Sequence, residues 1–461
     1  MSLKMPAWMS AYATRFLPFA DAASHDLPLG RLLRLSMFQL VIGMIMALMV
    51  GTLNRVMIVE LHVPAWWVAM AVAIPMVFAP LRTLIGYRSD THPSALGLRR
   101  IPYLWTGSLL LFGGLAVMPF ALLLGQLGAG LSFIMIGTGL QVTQTAGMAL
   151  ANDVAQEDKR PRVVALLYCM LLLGMILSSV LYGLFLSDFT PLRMIQVIQG
   201  SAVLVIVINL VSMWKQESRQ AKRGARKAGG FSASWKELIA MPQMRRFLWT
   251  VGLGSFAFSM QDIVLEPYGA EILGLNVGNT SSLTALGAIG SLVAFGLSAK
   301  WLASGWHACR LASFGILIGL PAFALVIFAA PTESVAMFRT GVALIGFGSG
   351  LFSVGMLVTA MSFENTRMSG LILGTWGAVQ ATATGAAMAM GGAVRDLVTE
   401  MALSGRLGEA LNSPITGYSF VYHLEMYLLF VVLIALGPLL KKSRHEPSQP
   451  ILKFGLAELP N

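Results

Sequence analysis

The sequence predicts an all-α membrane protein of about twelve transmembrane helices, built as two six-helix halves. Composition is the first observation behind this. Of 461 residues, 56% are hydrophobic and only 11% charged, with a mean hydropathy of +0.73, whereas a soluble domain carries roughly 25% charged residues. The second is pattern: the apolar residues fall in runs of about 20, the length that crosses a hydrocarbon core as a helix, and not in the two-residue alternation of an outer-membrane barrel. The third is the concentration of Lys and Arg in alternate loops. The 47 glycines suit helices that approach closely in lipid. Two cysteines, Cys169 and Cys309, lie in or beside apolar runs, which speaks against a disulfide framework and against a zinc site.

A basic arm (1–34) carries Lys4, Arg15, Arg31 and Arg34 and lacks the small-residue cleavage pattern of a signal peptide. The N-terminal half (35–214) contains helices expected near Leu35–Val56, Trp66–Ile85, Ile101–Leu124, Leu131–Ala151, Val163–Leu186 and Leu192–Trp214. A basic central loop (215–246) follows. The C-terminal half (247–440) contains helices near Phe247–Leu265, Ser281–Leu302, Leu311–Ala330, Val335–Ala360, Gly370–Val394 and Ser419–Leu440, and a tail (441–461) ends the chain. Helices seven and ten are the least regular in their hydropathy.

Charge sets the orientation. The arm, the second loop (Arg88, Arg99, Arg100), the fourth (Lys159, Arg160, Arg162), the sixth (Lys215 through Arg246) and the tail (Lys441, Lys442, Arg444) are basic. The odd-numbered loops are nearly free of Lys and Arg, apart from Arg193, Arg339, Arg395 and Arg406. Positive residues stay inside, so the even loops and both termini are expected in the cytoplasm. The formal net charge of +11 is therefore a matter of topology and of attraction to anionic lipid headgroups, not of nucleic-acid binding.

The two halves echo each other. Gly86-Tyr-Arg-Ser-Asp90, with Gly97, Arg99 and Arg100 beyond it, follows helix two. Gly296-Leu-Ser-Ala-Lys300, with Gly305 and Arg310 beyond it, follows helix eight. Asn54-Arg55 and Glu60 late in helix one match Gln261-Asp262 and Glu266 late in helix seven. Such a duplication around a basic central loop is the architecture of the major facilitator superfamily, whose halves are parallel repeats about a midplane cavity.

Several stretches are more specific. Gly86-Tyr-Arg-Ser-Asp90 with Gly97-Leu-Arg-Arg-Ile-Pro-Tyr103, Gln144-Thr-Ala-Gly147 through Asp153 to Lys159-Arg-Pro161, Leu53-Asn-Arg-Val-Met-Ile-Val-Glu60, and Gly391-Gly-Ala-Val-Arg-Asp396 together resemble the light-harvesting assembly and bacteriochlorophyll-delivery family (PucC/LhaA type). The resemblance implies a role in assembling bacterial antenna complexes in the inner, intracytoplasmic membrane. Bacteriochlorophyll is then expected as a transient ligand, antenna polypeptides and membrane lipids as partners, and no covalently bound cofactor. Many family members carry a histidine three residues before the Gln of Gln-Thr-Ala-Gly. This chain has Gln141 there, which removes that ligand.

Five residues are candidates for ligand or pigment contact. Arg55 is an ionisable group at membrane depth, where a charge costs roughly 2.5–3.5 kcal/mol on insertion scales and so faces a cavity or a partner; an ion pair with Glu60 or Asp262 is the structural alternative. Asp262 is either a proton-exchanging acid or a residue of the outer mouth, and Glu266-Pro267 is expected at the helix end, because proline disfavours helix in the residue before it. Gln141 and Gln144 share a helix face and offer amide oxygens to a hard cation such as magnesium, although interhelical hydrogen bonding is the commoner use of such residues. Of six histidines only His423 sits clearly within an apolar run; a neutral imidazole can ligate a chlorophyll magnesium, although a lone histidine of this kind is more often simply hydrogen-bonded. Gly86, Asp90, Gly97, Arg99 and Arg100 read as structural or gating elements whose charges pair across the halves, and Arg395-Asp396 as a local pair. The 28 methionines read as ordinary packing, although their flexible side chains could also accommodate a bulky apolar ligand.

No phosphate-binding loop, metal-ligand spacing or catalytic triad context is present in the sequence, so an enzyme is not expected. The alternative to antenna assembly is a proton-coupled secondary transporter of a small amphiphile; a purely structural membrane partner is a third reading. Since fold does not choose among functions, topology is the first thing to check. A reporter fused after Lys222 is expected in the cytoplasm and one near Ser404 outside; the reverse pattern in an alkaline-phosphatase and fluorescent-protein fusion assay would overturn the architecture.

Overall fold

The computed structural model describes residues 27–77, 98, 100–156, 159–217, 231–241, 243–363 and 369–443. Its membrane helices are α1 (Leu29–Glu60), α2 (Ala65–Val77), α3 (Ile101–Leu123), α4 (Gly125–Val154), α5 (Arg160–Phe185) and α6 (Pro191–Met213). A short connecting helix, Phe231–Ala240, precedes α7 (Met244–Glu271), α8 (Val277–Ala303), α9 (Ala308–Ala329), α10 (Val335–Met361), α11 (Ser369–Leu403) and α12 (Ile415–Ser443). Among the described residues, nine helices are long and apolar enough to cross a membrane. The other three are α2, described only to Val77, and the more polar α4 and α11. Hydropathy is thus weakest at α4 and α11, not at helices seven and ten, because their inner faces carry amides and hydroxyls such as Gln141, Thr143, Gln380 and Thr384.

Local chemistry sets the helix ends. Thr190, Asn276 and Ser334 cap α6, α8 and α10 by accepting from the backbone N–H three residues on, at 3.2, 2.8 and 3.2 Å, which satisfies donors a helix start leaves free. Helix α1 begins at Leu29, within the stretch the charge pattern assigns to the arm. Arg31 is accommodated there because its Nη2 donates to the Gln216 carbonyl oxygen at 2.6 Å. At the same end of the bundle, Arg100 pairs with Asp153 of α4 at 2.9 Å, a partner within its own half, and the Glu217 carboxylate accepts from the backbone N–H groups of Arg100 and Ile101.

The halves meet most closely where α2 packs against α11 and α5 against α8, and α1 reaches α7 and α8 between them. In lipid such contacts rest on small residues that let backbones touch. At the end of the bundle that carries the odd-numbered loops, a side chain at Gly278 would meet the Gly183 carbonyl, and one at Gly392 would strike Ala65 and Ala69. Inside the N-terminal half, α1 and α5 are locked reciprocally, with Gly43 against Leu171 and Gly174 against Leu40. Overpacking a close contact costs about 1–3 kcal/mol. Gly43→Val and Gly174→Val are therefore expected to lower the melting temperature of the protein in detergent, whereas Gly200→Ala, where nothing lies within 4 Å, leaves it unchanged.

Candidate functional site

The site grows from a break in α7. The helix runs to Ser259, passes through a 3-10 turn at Gln261–Ile263 and resumes as Leu265–Glu271. Pro267 accounts for this: it has no N–H to give the carbonyl four residues back, at Ile263. Asn54 of α1 fills the vacancy, donating from Nδ2 to the Ile263 oxygen at 2.7 Å. On the other side of the break, Glu425 of α12 accepts from the backbone N–H of Gln261 at 2.7 Å. Helix α1 is irregular at the matching level, with π-helical turns at Ala47–Leu53 and Val56–Glu60. The two sequence elements that echo one another in the halves thus pack against each other, and both depart from α-helix.

Beside the break lies a cavity of about 270 Å³. Its walls come from the middle of α1, α5, α7, α8, α10 and α11, and include Met46, Met175, Asp262, Glu266, Thr284 and Gln380. Among the described residues no Lys, Arg or His lines it. Glu266 is 1% exposed and accepts from Thr284 Oγ1 at 2.5 Å; Gly51 of α1 leaves room for its carboxylate. The expectation that Glu266 marks the helix end at the outer mouth is therefore wrong. Pro267 sits in the first turn of the resumed helix, where a missing N–H costs nothing, and the chain continues to Glu271. Asp262 lines the cavity and accepts from Gln261 Nε2 at 2.6 Å. Among the described residues, Gln261 Oε1 and Glu266 Oε2 of the lining have no hydrogen-bond partner, nor do the buried Asn54 Oδ1 and Glu425 Oε2 beside the break.

The other singled-out residues scatter. Arg55, 4% exposed, lies outside the cavity lining, pairs with Glu60 at 2.5 Å and is within electrostatic reach of Glu266. Gln141 is buried and Gln144 half-buried on α4, and neither lines the cavity. His423 faces outward from α12. Gly86, Asp90, Gly97 and Arg99 lie outside the described residues.

Arg395 and Asp396 do pair, at 2.8 Å, but they do more than that. Arg395 also binds Glu271 of α7 at 2.5 Å and donates to the Tyr418 hydroxyl at 2.8 Å, while Tyr418 donates to Glu271. Asp396 accepts from the Trp66 N–H at 2.8 Å, capping α2 from the opposite half. Glu425 and Glu271 were missed by sequence reasoning. A lone acid in the apolar run of α12 was a signal for the first, since intramembrane acids are rare and costly; Glu271 gave none, because its partners are distant in sequence.

A buried carbonyl left without its donor costs about 1–3 kcal/mol. Asn54→Leu is expected to destabilise the protein by that amount in thermal unfolding, and Pro267→Ala added to it to recover part of the loss, because the helix then supplies the missing N–H itself.

Comparison with known proteins places the chain. Residues 52–444 match the PUCC protein family. Protein PucC of Rhodovulum sulfidophilum is 48% identical over 403 residues, 83% of this chain and 89% of the relative. A more distant relative, the bacteriochlorophyll synthase 44.5 kDa chain of Rhodobacter capsulatus, is 27% identical over 394 residues, covering 80% and 88%. The fold resembles the inward-facing, unoccupied structure of a bacterial homologue of the lysosomal transporter Spinster, with a TM-score of 0.66 at 15% identity over 89% of this chain and 97% of that one. The chain belongs to the PucC family.

Proposed function

We infer that this PucC-family membrane protein serves the assembly of bacterial light-harvesting complexes by holding bacteriochlorophyll, or newly inserted antenna helices, at its lipid-facing flank, without proton-driven transport. Family membership supports the assembly role. The size of the central cavity supports the mode of action. At about 270 Å³ it falls below the roughly 300–1,000 Å³ of pockets that enclose drug-sized ligands, and a tailed pigment macrocycle is larger than those. Its lining offers two carboxylates and no imidazole, a donor set poorly matched to such a pigment.

The outer surface suits the pigment better. A bacteriochlorophyll is an apolar macrocycle with a long tail, insoluble outside the bilayer, so its carrier needs access from the lipid and few polar anchors. In this reading the chain resides in the intracytoplasmic membrane with both termini in the cytoplasm, as the Lys and Arg distribution requires. Its partners are pigment, antenna polypeptides and lipid, and no catalytic step is involved.

The rival reading, a proton-coupled transporter of a small amphiphile, is favoured by Asp262 and Glu266 flanking the mid-bundle cavity. One variant separates the two. Asp262→Asn removes a protonatable group and keeps the side-chain shape, so antenna assembly in a complemented deletion strain is expected at near wild-type level. Pigment or antenna chains are expected to copurify with the protein in mild detergent. Loss of assembly in Asp262→Asn, with an uncoupler stopping action in reconstituted vesicles and nothing copurifying, would establish the transporter.

A further inference from the structure

The outward face of α12 carries an imidazole in an unusual setting. His423 lies eight residues from the start of Ile415–Ser443, about 12 Å along the helix at 1.5 Å per residue. The helix, about 43 Å long by the same rise, exceeds a hydrocarbon core of about 30 Å by only a turn or so at each end. His423 is therefore inside the apolar layer. It is exposed on the outside of the bundle and shares its face with Phe420, Tyr427, Val431 and Ile434, which are 52, 66, 47 and 76% exposed. The opposite face of α12, with Tyr422, Glu425 and Leu429, is buried.

Its hydrogen bonding fixes its chemistry. Nδ1 lies 2.7 Å from the Ser419 carbonyl oxygen, and a carbonyl only accepts, so Nδ1 carries the proton. The Ser419 hydroxyl, at 3.4 Å, is a weaker second contact. With the Nδ1 proton committed to that carbonyl, Nε2 is the nitrogen whose lone pair is open to a ligand. Among the described residues no group partners Nε2. A backbone carbonyl on one ring nitrogen, fixing tautomer and ring orientation, is the arrangement that prepares the other nitrogen to bind a metal. The surrounding lipid tails offer neither a proton donor nor a metal. An apolar molecule that dissolves in the bilayer and brings its own Lewis acid satisfies Nε2 directly.

We propose that the His423 face of α12 is a docking site for a magnesium tetrapyrrole, with His423 Nε2 as axial ligand and Phe420 and Tyr427 as apolar support for the macrocycle. The proposal rests on the pigment-handling reading above and gives it an address. The two other described histidines, His62 and His307, stand in the α1–α2 connection and immediately before α9, and neither combines membrane depth with an outward apolar face.

The test uses the full-length protein in nanodiscs, titrated with bacteriochlorophyll a or with magnesium-free bacteriopheophytin a and followed by near-infrared absorbance. The wild type is expected to take up bacteriochlorophyll with a band shift that marks axial ligation, and to bind bacteriopheophytin at least tenfold more weakly. His423→Leu, an apolar replacement on an outward face, should retain the wild-type melting temperature, lose the band shift and bind bacteriochlorophyll at least tenfold more weakly. His423→Gly with added imidazole should regain the shift. Bacteriochlorophyll bound equally by wild type and His423→Leu, or bacteriopheophytin bound as tightly as bacteriochlorophyll, would overturn the His423 site while leaving pigment handling elsewhere on the flank intact. Wild-type protein that binds neither pigment yet copurifies with antenna polypeptides would overturn the site and restrict the broader reading to antenna helices. Capture of a polypeptide that needs His423 but no pigment would assign this face to a partner helix and overturn the proposal.

Discussion

Inside a bundle a buried carbonyl without a partner costs about 1–3 kcal/mol, and Pro267 creates one at Ile263, which Asn54 of α1 satisfies at 2.7 Å. Much of the interior is organised around this bond. It fixes the rotation of α1 against α7 and sets the level of the break, which turns Asp262 toward the cavity while Glu266 stays buried against Thr284. The same break frees the N–H of Gln261, and Glu425 of α12 takes it. A discontinuity in one helix is thus held by two others, one from each half. Irregular backbone at membrane depth persists only where protein rather than lipid surrounds it, and the burial of Gln261, Ile263 and Glu425 meets that condition.

The joint between the halves follows the same economy. Close approaches at Gly183–Gly278 and at Gly392 against Ala65 and Ala69 bring backbones together without side chains to separate them. Asp396 then uses its carboxylate on the N–H of Trp66, a helix-start donor with no partner in its own helix. Arg395 beside it ties α11 to α7 and α12 through Glu271 and Tyr418, and its guanidinium stacks 4.6 Å from the Tyr418 ring centre. One dipeptide therefore connects four helices, which its sequence context of Gly391-Gly392 does not reveal.

The parts of this structure legible in the sequence are those governed by local averages. Apolar runs give helices, and the repeated Asn54-Arg55 and Gln261-Asp262 elements give the duplication. What escaped reading depends on geometry between distant segments. Proline before a resumed helix and proline at a helix end look alike in sequence, so Glu266 was placed at the mouth although it is almost fully buried. Polar residues on α4 and α11 lower hydropathy whether they line a cavity or bridge helices, and only packing shows that Gln380 and Thr384 do the former while Gln141 and Gln144 do not. His423 was conspicuous as a histidine in an apolar run. The direction it faces, and the carbonyl that fixes its tautomer, are properties of the folded helix.

Inner and outer surfaces of this bundle divide polar chemistry in opposite ways. The cavity gathers carboxylates, amides and hydroxyls, and among the described residues Gln261 Oε1 and Glu266 Oε2 have no hydrogen-bond partner, which suits water or a small polar solute and penalises an apolar macrocycle. The outward faces are leucine, valine and aromatic side chains, often more than half exposed, and solvation by lipid tails or by a pigment costs them nothing. On such a surface a single fixed lone pair discriminates strongly, since the competing lipid has no Lewis acid to offer it. On the proposal that His423 ligates magnesium, a facilitator fold that keeps its polar cavity inside and carries this imidazole on an outward apolar face selects the pigment without enclosing it.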